Sequence, residues 1–181
     1  METKNKSINT ILSIGGGVLE IVKSYETYPQ ANLTFIDASK NMIEKVNEIL
    51  IDNNIEDYVN SICSPFEMYE TNEKFNLSLS LLVIHFIENK EQFLTKIYNL
   101  LEENGICILS AFSNYHLDWW ETFAIHNGAN IEQVSNTRHH PENTMALTTA
   151  LNIEEMAKKT GFKKVEKIAH ILSIDLWILT K

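Results

Sequence analysis

The chain has 181 residues, 44% hydrophobic and 22% charged, the balance of a soluble globular domain long enough to bury its own core. Its 24 acidic residues outweigh 15 Lys plus Arg, Arg138 is the lone arginine, and the net charge is −9. That balance excludes a broad basic surface for gripping a phosphate backbone, because such surfaces draw their affinity from Lys and Arg.

Thr10 to Ile14 is a β-branched run that predicts a first strand and ends in Gly15-Gly16-Gly17. Leu19, Ile21, Val22 and Tyr25 then mark one face of a helix. Leu33 to Ile36 reads as a second strand, closed by Asp37. Ser39 is placed as an N-cap before Met42, Ile43, Val46, Ile49 and Leu50 at helical spacing. Tyr58 to Cys63 reads as a third strand, stopped by Pro65. Leu77 to Ile84 is a nearly unbroken apolar run, the signature of a strand covered on both faces. Gln92 to Leu101 reads as a helix, with Gly105 placed as its stop signal, and Ile106 to Phe112 as a fifth strand.

The segment from Ser113 to Leu151 breaks this rhythm and carries Trp119, Trp120, Pro141 and four of the six histidines. A helix from Ile153 to Thr160, Gly161, and strands Val165 to Leu172 and Asp175 to Thr180 close the chain. The short link between those strands predicts an antiparallel hairpin. The β-α alternation predicts one α/β domain over residues 1–181, an open and mostly parallel sheet with helices on both faces, and 113–151 as a substrate-side lid.

Cys63 and Cys107 sit in apolar runs and are too few for a disulfide framework. The opening METKNKSINT does not read as a signal peptide, and the longest uncharged apolar run, Leu77 to Ile87, is too short for a bilayer. No membrane association and a cytoplasmic setting are expected.

The chemistry centres on Ile11-Leu12-Ser13-Ile14-Gly15-Gly16-Gly17 and on Asp37, 20 residues past the last glycine. Glycines after a first strand let the backbone approach a ligand, and the following helix aims its N-terminus at it. A carboxylate about 20 residues on can accept both ribose hydroxyls. The G-x-G-x-x-G dinucleotide fingerprint lacks its third glycine here, so a nucleoside cofactor other than a dinucleotide is expected.

These pieces resemble the class I S-adenosylmethionine-dependent methyltransferases over essentially the whole chain. The resemblance rests on Leu12 to Gly17, Phe35-Ile36-Asp37-Ala38-Ser39 with Met42, Phe75 to Ser80, Leu82-Val83-Ile84-His85-Phe86, Leu100 to Gly105, and Thr160-Gly161-Phe162. It implies a Rossmann-like three-layer sandwich whose seven-stranded sheet has the order 3-2-1-4-5-7-6 and an antiparallel last strand. It also implies S-adenosyl-L-methionine as cofactor. Ser13, Gly15, Gly16 and Gly17 would form its turn, with Gly15 and Gly17 along the methionine half. Asp37 would hold the ribose, Ala38 and Met42 would pack the adenine, Ser64 would lie near its amino group, and Leu82 would lie beside the sulfonium. Ser13, Ser64 and Asn76 each stand where the family usually has an acid.

Methyl transfer is an in-line displacement in which the cofactor carries the hard chemistry and the protein aligns the acceptor. His85, expected at the carboxyl end of the fourth strand, is the first candidate for a base, with Tyr115 and His116 beside it. Trp119, His126 and Arg138 are candidate substrate contacts in the polar-aromatic lid. His116 and His126 are too far apart for a metal pair and His139-His140 diverge, so no metal is expected. Lys158, Lys159, Lys163, Lys164 and Lys167 read as a solvated face, with an RNA contact as the alternative. The expected function is methyl transfer to a small-molecule acceptor by a monomer or homodimer without an extensive nucleic-acid surface. Two alternatives stand beside it. The missing acids and the short lead-in to the first strand point to a non-catalytic cofactor-binding or regulatory protein. Arg138, Glu142-Asn143, Met145 and Thr160-Gly161-Phe162 are similar to the carboxy-S-adenosylmethionine synthase subgroup of tRNA modification.

Overall fold

Strand and helix alternate along the chain in a computed structural model that describes residues 7–112, 117–132, 134, 150–171 and 174–181. The elements are β1 (Thr10–Ile14), α1 (Val18–Thr27), β2 (Asn32–Asp37), α2 (Lys40–Asp52), β3 (Val59–Cys63), β4 (Phe75–Leu81), α3 (Lys90–Leu100), β5 (Leu101–Phe112), α4 (Leu117–His126), α5 (Ala150–Thr160), β6 (Lys164–Ile171) and β7 (Ile174–Thr180). The seven strands form one sheet in the order β3-β2-β1-β4-β5-β7-β6, as expected. Pairing is parallel from β3 to β5, and β7 runs antiparallel to both β5 and β6.

Side-chain alternation along each strand divides the core between two faces. Leu12, Ile14, Leu109, Trp177 and Leu179 share a cluster with Phe93, Leu94 and Ile97 of α3 and with Ile153 and Ala157 of α5. Ile11, Leu33, Phe35, Leu77 and Leu79 share the other with Ile21 of α1 and Ile43, Val46 and Leu50 of α2. The sheet is thus the middle of three layers. The order of the strands reverses between β1 and β4, so the connections on either side of that line leave in opposite directions. A crevice opens there, at the carboxyl ends of the strands.

Two departures from the sequence reading have a clear physical cause. The fourth strand stops at Leu81 and does not reach Ile84, because Leu82 takes a left-handed backbone with φ of 58°. Its N–H reaches across to Ser110, donating to the carbonyl at 3.2 Å and to Oγ at 3.0 Å. A 3-10 turn, Ile84–Phe86, follows. Gly105, read as a helix stop, lies inside β5, which begins directly where α3 ends. Its reason is a bulge: pairing with β4 jumps from Phe75↔Leu101 to Leu77↔Ile106. Asn104 there has φ of 60°. A Cβ on Gly105 would lie 2.9 Å from the Glu102 carbonyl and 3.0 Å from that of Phe75.

Two buried polar clusters brace the sheet. Asn76, near the start of β4, accepts from the N–H groups of Asn9 and Thr10 at 2.9 and 3.1 Å and donates its amide to Glu102 at 2.7 Å. An ionised carboxylate could accept here but not donate, which gives a physical reason for asparagine rather than an acid at this position. On β7, fully buried Asp175 contacts Lys167 Nζ at 2.9 Å and His170 Nδ1 at 2.6 Å. Lys167, read as part of a solvated run, is therefore a counter-ion to a buried carboxylate.

Candidate functional site

At the crevice, β1 ends in a turn that demands glycine. Gly15 has φ of 61°, its N–H donates to the Ile36 carbonyl at 2.8 Å, and a Cβ on it would lie 2.8 Å from Val83 Cγ2. Gly17 is the N-cap residue of α1. The end of β2 places Asp37 opposite, and Asp37 is itself held: one carboxylate oxygen accepts the Ser39 N–H at 2.7 Å. Its second oxygen has no hydrogen-bond partner among the described residues. Ser39 caps α2 as expected, its Oγ accepting from the Met42 N–H at 3.3 Å.

A cleft of about 330 Å³ lies between these ends, lined by Gly15, Asp37, Ala38, Ser64, Leu82 and apolar neighbours such as Phe66 and Val83. Five of the residues singled out from sequence thus converge on one cavity. Polar groups meet at its edge while the walls are apolar, which is the usual make-up of a small-molecule site. The Ser64 N–H donates to the Asp37 carbonyl at 3.0 Å, tying β3 to β2 at the floor, while its hydroxyl turns to the Pro65 carbonyl at 3.0 Å.

The other singled-out residues lie elsewhere. Ser13 is fully buried behind the turn and donates to Glu20 Oε1 at 2.5 Å. Gly16 is packed over that pair. Gly17 borders a separate groove beside α1. Met42 is half-buried and packs on the α1–α2 core cluster. His85 is buried in the 3-10 turn after β4, its ring 4.3 Å from that of Phe86 and 5.0 Å from that of Phe112. Burial, with Lys90 nearby, pushes its pKa down to about 4, so it is neutral near pH 7. Trp119 falls within α4 and His126 is the exposed last residue of that helix. Tyr115, His116 and Arg138 lie outside the described residues.

Glu67 also lines the cleft and was not singled out. It follows Ser64 by three residues, in a 3-10 turn after Pro65. Sequence alone offers the signal of an acid just past the expected position, yet only the turn brings it back to the cavity. Glu20, which borders the separate groove beside α1, is likewise a residue that the sequence pattern does not single out. Its carboxyl is pushed up to about 7 by burial, against the Ser13 hydrogen bond, which favours the charged form.

The sheet order, glycine turn and acid-lined crevice define a Rossmann-like α/β domain with its ligand cleft at the strand-order reversal. The chain belongs to the methyltransferase domain family, whose model matches residues 10–172. Among curated proteins it is 27% identical to the carboxy-S-adenosyl-L-methionine synthase of Actinobacillus pleuropneumoniae, over 85% of this chain and 67% of that protein. It is 30% identical to the malonyl-[acyl-carrier protein] O-methyltransferase of Anoxybacillus flavithermus, over 58% of this chain and 39% of that one. Among solved structures, phosphoethanolamine N-methyltransferase 2 of Haemonchus contortus, in complex with S-adenosyl-L-methionine, superposes with a TM-score of 0.72 at 17% identity, over 99% of this chain and 50% of that one. The likeness to solved structures shows the fold, and the chain spans about half the length of those proteins.

Proposed function

We propose that this chain binds S-adenosylmethionine in the cleft between Gly15 and Asp37 and transfers its methyl group to a small-molecule acceptor. The carrying observation is the convergence of the left-handed Gly15 and the half-partnered Asp37 on one cavity. The cleft fits the group. Gly15 lets the backbone approach the ligand without a side chain between them. Asp37 has a carboxylate oxygen left for ribose hydroxyls, and Phe66, Ile87 and Ala38 offer apolar surface to a base. The bound cofactor supplies a methyl activated on a sulfonium. The protein's own work is to orient it and to keep water from the acceptor.

The names of relatives differ in what they methylate or serve, malonyl-[acyl-carrier protein] in one and ubiquinone biosynthesis in another. On the sequence pattern alone we place the acceptor pocket in the segment 113–151, with Trp119 and His126 as candidate contacts.

Titration calorimetry with S-adenosylmethionine and S-adenosylhomocysteine tests the reading. Binding of both, weakened at least tenfold by Asp37→Ala, is the expected outcome, since a hydrogen bond to a charged group contributes about 1.5–3 kcal/mol. An Asp37→Ala variant with unchanged affinity refutes it. A second reading has one observation in its favour: the carboxy-S-adenosylmethionine synthases align with 85% of the chain, the O-methyltransferases with 55–60%. In that reading Arg138 holds the extra carboxylate, and Arg138→Ala loses the carboxy-modified cofactor while keeping the ordinary one.

A further inference from the structure

We propose that Glu20 supplies the negative charge of the glycine turn from α1, and that this charge makes the site favour the cationic cofactor over the neutral thioether left after methyl transfer. The inference rests on the cofactor reading above.

The geometry starts at Ser13, one residue before the end of β1. Its hydroxyl donates to Glu20 Oε1 at 2.5 Å. The two side chains meet under Gly16: a Cβ there would lie 2.6 Å from Ser13 Oγ and would collide with the Glu20 carboxyl. The carboxyl therefore touches the peptide that joins Gly15, which lines the cleft, to Gly17, which caps α1. The third residue of a helix is also where the helix dipole favours an anion.

Around the carboxyl the surroundings are poor in competing charge. The groove beside α1 is lined by Leu19, Leu77, Leu79, Leu81 and Ile108. Its cation, Lys23, is paired to Glu26 at 2.5 Å, and Tyr28 is its other titratable neighbour. From β1 the facing group is the neutral Ser13. A charge in such apolar surroundings is felt farther than one in water. With its pKa near 7, Glu20 is partly ionised at neutral pH. S-adenosylmethionine carries a permanent sulfonium charge and S-adenosylhomocysteine does not. An ionised Glu20 stabilises the first and is nearly indifferent to the second. Contacts common to both ligands drop out of their affinity ratio, and comparing the wild-type ratio with that of Glu20→Gln removes the pH dependence that comes from the ligands themselves.

The test is calorimetry of both ligands between about pH 5.5 and 8.5 on the wild-type chain, Glu20→Gln and Ser13→Ala. The wild-type ratio should rise several-fold in favour of the sulfonium, with a midpoint near 7. Glu20→Gln should give a low ratio that lacks this rise and keeps only the pH dependence of the ligands. Ser13→Ala removes a hydrogen bond that favours the carboxylate, so its midpoint should move to higher pH with the rise retained. That second variant decides the matter even if Glu20→Gln folds poorly. A wild-type ratio that ignores pH, or a Ser13→Ala midpoint that does not move, overturns the role of Glu20 while leaving the cofactor reading intact. Absence of binding by either ligand overturns the cofactor reading and this inference together.

Discussion

Replacing His85 by Phe should remove most of an acid-induced loss of stability. The imidazole is 1% exposed, wedged against Phe86 and Phe112, and its Nδ1 has no hydrogen-bond partner. In the unfolded chain it binds a proton below its ordinary pKa of 6.5, whereas in the folded chain it does so only below about 4. Between those values the unfolded state holds more protons, so stability falls as pH falls, and the contribution is intact above 6.5. The gap corresponds to roughly 3 kcal/mol. Urea unfolding of both proteins at a series of pH values between about 4 and 7.5 measures it. Any packing change caused by the larger ring is independent of pH, and the titration of every other group cancels in the difference. The variant should therefore gain on the wild type steadily as pH drops from 6.5 toward 4. Parallel stability curves would show that the ring titrates normally and that the tight packing of His85 has been misjudged.

Three further outcomes are expected. Gly15→Ala should cost roughly 2 kcal/mol in urea unfolding, from the left-handed backbone and the displacement of Val83, and should weaken S-adenosylhomocysteine binding in calorimetry. Gly105→Ala should cost about 1–3 kcal/mol in thermal unfolding without touching ligand affinity, because the crowding atoms are carbonyls of the bulge and of β4 that cannot rotate away. Asp175→Asn should destabilise by about 2 kcal/mol, less than a wholly buried pair because Lys167 and His170 reach solvent. Burial would raise the Asp175 pKa, but hydrogen bonds and charge from Lys167 and His170 hold it below 3.8, so its contribution persists at neutral pH and fades only on strong acidification.

Strand periodicity and the glycine-acid spacing make a mostly parallel sheet, its terminal hairpin and the pair Gly15–Asp37 legible in the sequence, while the strand order comes from the family resemblance. What escaped was governed by single backbone events or by residues distant in sequence. The apolar run from Leu77 to Ile84 contains no turn signal, since Leu82 is an unusual residue to adopt a positive φ and does so under the hold of Ser110. Gly105 after a helical pattern looks the same whether it ends a helix or relieves a bulge. Lys167 reads as solvent-facing until β7 folds back and sets Asp175 against it. Positions 13, 64 and 76 themselves carry no acid. In three dimensions Glu20 meets Ser13, Glu102 meets Asn76, and Glu67 reaches the cleft floored by Ser64.

The crevice between β1 and β4 owes its existence to connectivity. Chain segments leave the sheet in opposite directions on either side of that line, and no side chain has to hold the gap open. Substitution of an acid there can alter how tightly a ligand is held, but it cannot erase the place where ligands are held. Lineages of this architecture can therefore exchange the chemistry of the site piece by piece, passing through weakly binding intermediates that still fold. A domain built this way preserves the opportunity for function independently of any one residue that exercises it.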